Sequence, residues 1–184
     1  MDAINEDFAR FQDKGITTYD TGDTFAGIEE TLGKCIRTYR EGVEVSGGEA
    51  KVQVHSKFSP DLDVLASVDL AYVRQSLLRS LNRLNVDRLD LVELQWWDFG
   101  VKKYVALRRL QMLLIIFRFG SYVATAQHLV TLQKEGLLRH VGLTDFDAAH
   151  LQEVLDAGNA RLRDFLGPDD RDRTYGFELR LRNA

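Results

Sequence analysis

Hydrophobic and polar positions along the chain repeat one pattern four times. In each repeat, a short run rich in aliphatic and β-branched residues ends on a polar residue, and a stretch with apolar side chains three and four residues apart follows it. The strand-like runs cover residues 16–20, 51–57, 89–95 and 140–144, and the helix-like stretches cover residues 28–39, 70–84, 126–135 and 148–157. Strands that alternate with helices in this way predict a parallel α/β fold with about four βα units.

The third interval between strands is longer than the other two. Strand starts near residues 16, 51, 89 and 139 are separated by 35, 38 and 50 residues. Within the long interval, Tyr104-Val-Ala106 recurs 18 residues later as Tyr122-Val-Ala124, and removing residues 107–124 restores an interval of 32. We therefore predict that residues 107–124 are an in-frame insertion. The alternative is a basic amphipathic lid or membrane-surface helix, since arginines flank the apolar run at residues 112–117.

The last part of the sequence departs from the repeated pattern. Eleven of the residues at 159–184 are charged, and every basic one is arginine. This composition predicts a solvated, poorly ordered tail after a domain that covers residues 1–158.

Composition narrows the classes of protein that fit the pattern. The 184 residues are 45% hydrophobic and 28% charged with a net charge of −4, which is typical of one globular domain and gives no reason to expect a nucleic acid or an anionic membrane as partner. A single cysteine, Cys35, excludes an internal disulfide and a multi-cysteine metal site, so we expect a cytoplasmic protein without a metal. The longest apolar run, at residues 112–117, is too short to span a membrane.

Polar side chains collect where the predicted strands end, which is where parallel α/β folds carry their chemistry. These residues are Asp20, Lys57, Gln95, Thr144 and Asp145. A lysine beside an aspartate could lower the pKa of a neighbouring acid and prepare it to donate a proton near neutral pH. The same pair could equally be a structural salt bridge at the rim of the sheet.

Four motifs, in order along the chain, resemble the aldo-keto reductase family. The first is Gly15-Ile-Thr-Thr-Tyr-Asp-Thr-Gly-Asp-Thr-Phe25, followed by Glu29-Glu-Thr-Leu-Gly-Lys34. The others lie at residues 76–92, at Trp96-Trp-Asp98 and at residues 136–146. The resemblance covers about residues 1–158 and implies a partial (β/α)8 TIM barrel that holds the family's second to fifth strands. It also implies reduction of aldehydes or ketones with NADP(H).

The resemblance assigns roles to the residues at the strand ends. Asp20 and Lys57 match the family's catalytic aspartate and lysine. Phe25 stands at the position of the tyrosine that protonates the carbonyl oxygen, and Gln95 stands at the position of the histidine that orients the substrate. Phenylalanine has no proton to give, whereas the Gln95 amide can still donate a hydrogen bond to a carbonyl.

The cofactor and substrate positions follow from the same resemblance. Asp145 replaces the asparagine that holds the nicotinamide amide, and Thr144 before it keeps its hydroxyl. An ionised Asp145 can accept a hydrogen bond from the amide nitrogen but cannot donate one to the amide oxygen. Trp96 and Trp97 would line a pocket for a small carbonyl substrate, or pack as ordinary aromatic residues.

These departures leave three readings of the chain. The first is an aldo-keto reductase whose activity is lost or impaired. The second is a catalytically dead nucleotide-binding or interaction module, and the third is a truncated or mis-spliced product without a function. In each case a half-barrel leaves two unpaired strand edges and an uncovered strand face, so we expect self-association through the open edges.

Overall fold

The structure is a computed structural model that describes residues 3–25, 27–48, 50–99 and 121–157. Most of the predicted insertion and all of the predicted tail therefore lie outside the described residues. The elements in chain order are α1 (Ala3–Asp13), β1 (Thr18–Asp20), α2 (Ile28–Val45), β2 (Gln53–Phe58), a 3₁₀ turn (Leu65–Ser67), α3 (Leu70–Leu84), β3 (Leu89–Gln95), α4 (Tyr122–Lys134), β4 (Leu138–Thr144) and α5 (Ala148–Ala157).

The four strands form one parallel sheet in the order β1-β2-β3-β4. A helix follows each strand, so the predicted α/β fold with four βα units is confirmed. Strand β3 has the predicted bounds, and the other three strands begin or end within two residues of them. None of the helices in the described part of the chain is long and apolar enough to cross a membrane.

One face of the sheet carries the hydrophobic core. Register aligns Phe58 of β2 with Leu94 of β3 and Leu143 of β4, and it aligns Val92 of β3 with Val141 of β4. Phe58, Leu94 and the two valines are buried against the helices. Leu143 is partly buried and packs against the same hydrophobic cluster. Burial of this kind stabilises a fold by roughly 25 cal/mol per Å² of apolar surface removed from water.

The opposite face of the sheet is mainly polar. The residues that alternate with the core positions are His55 and Lys57 on β2, Glu93 and Gln95 on β3, and Thr144 on β4. This face therefore carries charged and amide side chains more than apolar ones, and self-association through the open edges stays a prediction.

Several exposed apolar side chains lie beside β1, which has β2 as its one neighbour among the described strands. A groove of about 320 Å³ runs between α1, β1 and α2, and its walls include Ile4, Phe8, Phe11, Ile28 and Leu32. Three of these side chains, Ile4, Phe11 and Ile28, are at least half exposed. The groove is the apolar surface of the described residues that an additional element could cover.

Helix boundaries differ from the predicted ones in two places. Helix α2 continues to Val45, six residues beyond the predicted end. The prediction ended too early because the last turns carry no buried residue and therefore show no apolar periodicity. Helix α4 begins at Tyr122, four residues earlier than predicted, because the Oγ of Ser121 accepts a 3.1 Å hydrogen bond from the Ala124 N–H and caps the helix.

Close packing of α2 on α3 fixes the loop that follows β1. A Cβ at Gly33 would lie 2.0 Å from the Arg83 carbonyl oxygen, so only glycine permits this approach of the two helices. The buried Glu29 carboxylate accepts from Ser56 Oγ at 2.8 Å and lies 3.4 Å from Arg83 Nη1. These contacts tie the first turn of α2 to β2 and position the β1–α2 loop over the ends of the strands.

Candidate active site

The site begins with a charged pair at the ends of the first two strands. Lys57 Nζ donates to both carboxylate oxygens of Asp20, at 2.7 and 2.5 Å. The lysine side chain is 15% exposed and the aspartate side chain 59% exposed. The structure thus brings together the two residues that the sequence predicted as partners, on the polar face of the sheet.

Phe25 lies next to this pair. Its ring centroid is 5.6 Å from Lys57 Nζ, and the ring rests over Gly22, where an added Cβ would contact both the ring and the Lys57 side chain at 3.5 Å. Phe25 is 45% exposed, so nearly half of its surface is open to solvent. An aromatic side chain therefore stands beside the lysine, at the distance of a cation–π contact, without a hydroxyl group.

Two further acceptors surround the Lys57 ammonium. The Thr21 carbonyl oxygen lies 3.2 Å from Nζ, and the Glu93 Oε2 lies 3.4 Å from it. An ammonium group has three N–H donors, and here it faces three acceptor groups. Burial raises the pKa of the Glu93 carboxyl, while the charge of Lys57 acts in the opposite direction.

Glu93 is a site residue that the sequence reasoning missed. That reasoning considered only the last residue of each strand, and Glu93 lies two positions before the end of β3. Side chains two apart on a strand share a face, so the position of Gln95 already implied that Glu93 points to the same side.

The side-chain amide of Gln95 forms a hydrogen bond through its oxygen and another through its nitrogen. Its Oε1 accepts from Ser59 Oγ at 2.8 Å, and its Nε2 donates to Asp145 Oδ2 at 2.6 Å. Thr144 is paired with Gln95 in the sheet register, and Asp145 follows it in the left-handed conformation with φ of 60°. The structure therefore brings the predicted substrate-orienting position into direct contact with a predicted cofactor position.

Asp23 extends the polar network behind Gln95, and the sequence reasoning did not identify it. Its Oδ1 accepts from the Ser59 N–H at 3.2 Å, and its Oδ2 accepts from Ser76 Oγ at 3.1 Å. Burial raises the pKa of Asp23 to about 6, although both hydrogen bonds act to lower it. Asp23 lies within the first motif, but its partners Ser59 and Ser76 are distant in sequence, so the motif did not indicate these contacts.

The two tryptophans occupy different environments. Trp96 is 3% exposed, its Nε1 donates to the Asp98 carbonyl at 3.1 Å, and its ring packs edge-on against Tyr122. Trp97 is 52% exposed. Trp96 is thus part of the core, whereas the ring of Trp97 is open to solvent. Among the described residues, no group of three His, Cys, Asp or Glu side chains is arranged to hold a metal ion.

The sequence of the chain is similar to those of known proteins. The model of the aldo/keto reductase family matches residues 1–164. Methylglyoxal reductase DkgA from Escherichia coli K12 is 29% identical over 83 residues, which are 45% of this chain and 24% of that protein. The DkgA protein of Yersinia pestis is 31% identical over a stretch of the same length.

Comparison with solved structures gives the same family. Aldose reductase from Schistosoma japonicum is similar with a TM-score of 0.59 and 17% identity, over 84% of this chain and 48% of that one. An aldo-keto reductase from Klebsiella pneumoniae in complex with NADPH is similar with a TM-score of 0.52 and 25% identity, over 83% of this chain and 44% of that one. The chain spans less than half the length of each of these relatives. It belongs to the aldo/keto reductase family, and its four parallel strands form part of the family's barrel.

Proposed function

We propose that this chain is a carbonyl reductase that can hold NADPH and a small aldehyde or ketone but lacks the proton donor of the reaction. Its rate of carbonyl reduction is then at or near background. The observation that carries the proposal is the Phe25 ring, whose centroid lies 5.6 Å from Lys57 Nζ. A phenol in this place would have a lysine and its paired aspartate beside it, and a phenyl ring has nothing to ionise.

The chemistry explains why one missing hydroxyl matters. Reduction of a carbonyl requires a hydride at the carbon and a proton at the oxygen, and NADPH supplies the hydride when it is bound. General acid catalysis is typically worth about 10²–10⁴ in rate. Without an acid at position 25, the developing charge on the substrate oxygen has no donor from this side chain.

Lys57 is poorly placed to substitute for the acid. Its three N–H groups already face Asp20, the Thr21 carbonyl and Glu93. Gln95 keeps one Nε2 hydrogen beyond the one it donates to Asp145, so it can orient a carbonyl oxygen. An amide does not titrate near neutral pH, so this contact orients the substrate without protonating it.

The residues present fit the nicotinamide amide in part. Asp145 Oδ2 is engaged with Gln95, which leaves Oδ1 to accept from the amide nitrogen of the cofactor. The hydroxyl of Thr144 can donate to the amide oxygen, a role that an ionised aspartate cannot fill. The NADPH complex of the Klebsiella pneumoniae relative supports this choice of cofactor.

The single cysteine, which permits no internal disulfide, favours the cytoplasm as the compartment.

A second candidate is a nucleotide-binding module without catalytic activity. The saturation of the Lys57 ammonium by three acceptors favours it, because such a lysine is a structural ion-pair partner rather than an activating group. The two candidates differ in what happens when the acid is restored. The reductase regains turnover, whereas the module continues to bind cofactor without consuming it.

The test measures binding and turnover on the same proteins. NADPH binding is followed by tryptophan fluorescence, and turnover is followed by NADPH consumption with a panel of small aldehydes. The proteins are the unmodified chain, Phe25→Tyr/Gln95→His, and Phe11→Tyr as a matched control at an exposed phenylalanine on α1. Turnover only in the double variant supports the proposal. Equal turnover in all three contradicts it, and binding without turnover in all three identifies the nucleotide-binding module.

A further inference from the structure

We propose that Glu93 is a positioning residue that takes up the Lys57 ammonium in place of the missing hydroxyl and cancels the positive potential of Lys57 at position 25. The chain then carries two features that oppose proton donation, the absence of a hydroxyl at residue 25 and a carboxylate that neutralises the neighbouring lysine. This inference rests on the proposed function, since it takes position 25 to be the place of the proton donor.

The geometry holds Glu93 beside the lysine. Lys57 and Glu93 are direct partners in the register of β2 and β3, and their charged atoms are 3.4 Å apart. Gly142 of β4 is the next residue in the same row. A Cβ at Gly142 would lie 3.2 Å from Glu93 Cγ, so the glycine leaves the space in which the glutamate side chain lies.

The charges around Lys57 show how Glu93 changes the electrostatic potential at position 25. Lys57 stands between the carboxylates of Asp20 and Glu93, so the three charges sum to −1 rather than to zero. The other titratable groups on this face are Asp145, at the end of β4, and the imidazoles of His55 and His140 on the adjoining strands. Burial raises the pKa of Glu93 and lowers that of His55, so both groups feel a partly desolvated environment.

The pKa of a phenol placed at position 25 would depend on these neighbouring charges. A lysine with one carboxylate partner still favours the ionised phenol, because an adjacent positive charge stabilises the negative form. A second carboxylate within 3.4 Å of the ammonium removes most of that effect. Glu93 therefore sets the pKa of any acid that stands beside Lys57, without contacting the substrate itself.

The decisive experiment measures ionisation and does not depend on turnover. Tyrosinate absorbance is titrated as the difference between each variant and its counterpart that retains Phe25. The variants are Phe25→Tyr, Phe25→Tyr/Glu93→Gln, and Phe25→Tyr/Glu44→Gln, in which an exposed glutamate on α2 is neutralised as a charge-matched control. We expect Glu93→Gln to lower the apparent pKa of the introduced phenol by about 1 or more, and Glu44→Gln to leave it unchanged.

An equal phenol pKa in all three variants overturns the proposal. A second measurement uses the chain with Phe25 in place and so does not depend on how well the tyrosine variants fold. Hydrogen exchange at the Lys57 ammonium, followed by NMR, is expected to be faster in Glu93→Gln than in the unmodified chain or in Glu44→Gln. Unchanged exchange overturns the proposal as well. Because neither readout needs NADPH, failure of the proposed function in turnover assays remains distinct from failure of this inference.

Discussion

The side-chain amide of Gln95 donates a 2.6 Å hydrogen bond to the carboxylate of Asp145, which joins the ends of β3 and β4. Both residues are ones that the sequence predicted as replacements of family residues, and their side chains complement each other as donor and acceptor. A hydrogen bond to an ionised acceptor is stronger than one between neutral groups. The Asp145 carboxylate that would face the cofactor amide is therefore partly committed to the protein itself.

Asp145→Asn is expected to tighten NADPH binding. The asparagine amide can donate to the nicotinamide oxygen as well as accept from its nitrogen, and one such hydrogen bond is worth about 1 kcal/mol, or roughly fivefold in the dissociation constant. Fluorescence titration with NADPH measures the change. The control is Glu44→Gln, which changes the net charge equally on a helix. Equal tightening in both variants would assign the effect to overall charge and not to Asp145.

The raised pKa of Asp23 leads us to expect that the free energy of unfolding depends on pH. Its pKa is raised from 3.8 to about 6, chiefly by burial, so the folded state binds the proton more tightly than the unfolded state. Its contribution to the free energy of unfolding is present below about pH 4 and is lost as the pH rises to about 6. The loss from this group is at most about 3 kcal/mol.

Asp23→Asn should remove this dependence, because asparagine stays neutral across the range. We expect the variant to be about 1–2 kcal/mol more stable than the unmodified chain at pH 7 and to lack its decline between pH 4 and 6. Urea unfolding at several pH values gives the comparison. Asp61→Asn, at an exposed loop position, should keep the slope of the unmodified chain. A slope in Asp23→Asn as steep as in Asp61→Asn would contradict the pKa assigned to Asp23.

Alternation and spacing in the sequence predicted the four strands, because a strand with one buried and one polar face alternates apolar and polar residues. The predicted last residues of β1, β3 and β4 were right, and β2 ends one residue later, at Phe58. Helix α1 was not predicted. Contacts that depend on loops could not be read from the pattern, since Ser59 and Asp23 meet through turns with no periodicity. Glu93 could have been found from the alternation on β3. The structure does not test the roles assigned to Asp20 and Lys57, which stay predictions.

The predicted insertion can be tested by two deletions of equal length. Removing residues 107–124 joins Lys103-Tyr-Val-Ala106 to Thr125 and replaces the Ser121 cap of α4 by lysine. Removing residues 103–120 keeps Ser121 as the cap. We expect both proteins to fold, and we expect the second to be more stable by about 1 kcal/mol, the usual value of an N-cap hydrogen bond. Thermal unfolding gives the difference. Loss of folded protein in both would show that the segment is not an insertion.

Self-association should depend on the apolar groove beside β1. Phe11 is half exposed in this groove, and β1 has β2 as its one sheet neighbour among the described strands. A charge placed in an apolar interface is costly to bury, so Phe11→Glu should shift the chain toward monomer in sedimentation velocity. Val45→Glu, at a 90% exposed position outside the groove, is the matched control. A stable monomer in the unmodified chain would contradict the prediction.

The central claim is that the chain lacks a proton donor at position 25, beside the Asp20–Lys57 pair. The most direct measurement is kcat/KM for NADPH-dependent reduction of one small aldehyde by the unmodified chain, by Phe25→Tyr and by Phe11→Tyr. We expect background activity in the unmodified chain and in Phe11→Tyr. In Phe25→Tyr we expect a gain of about 10²-fold, the low end for general acid catalysis because Glu93 remains next to Lys57. Turnover by the unmodified chain as fast as that of Phe25→Tyr, or no gain in Phe25→Tyr, would contradict the account.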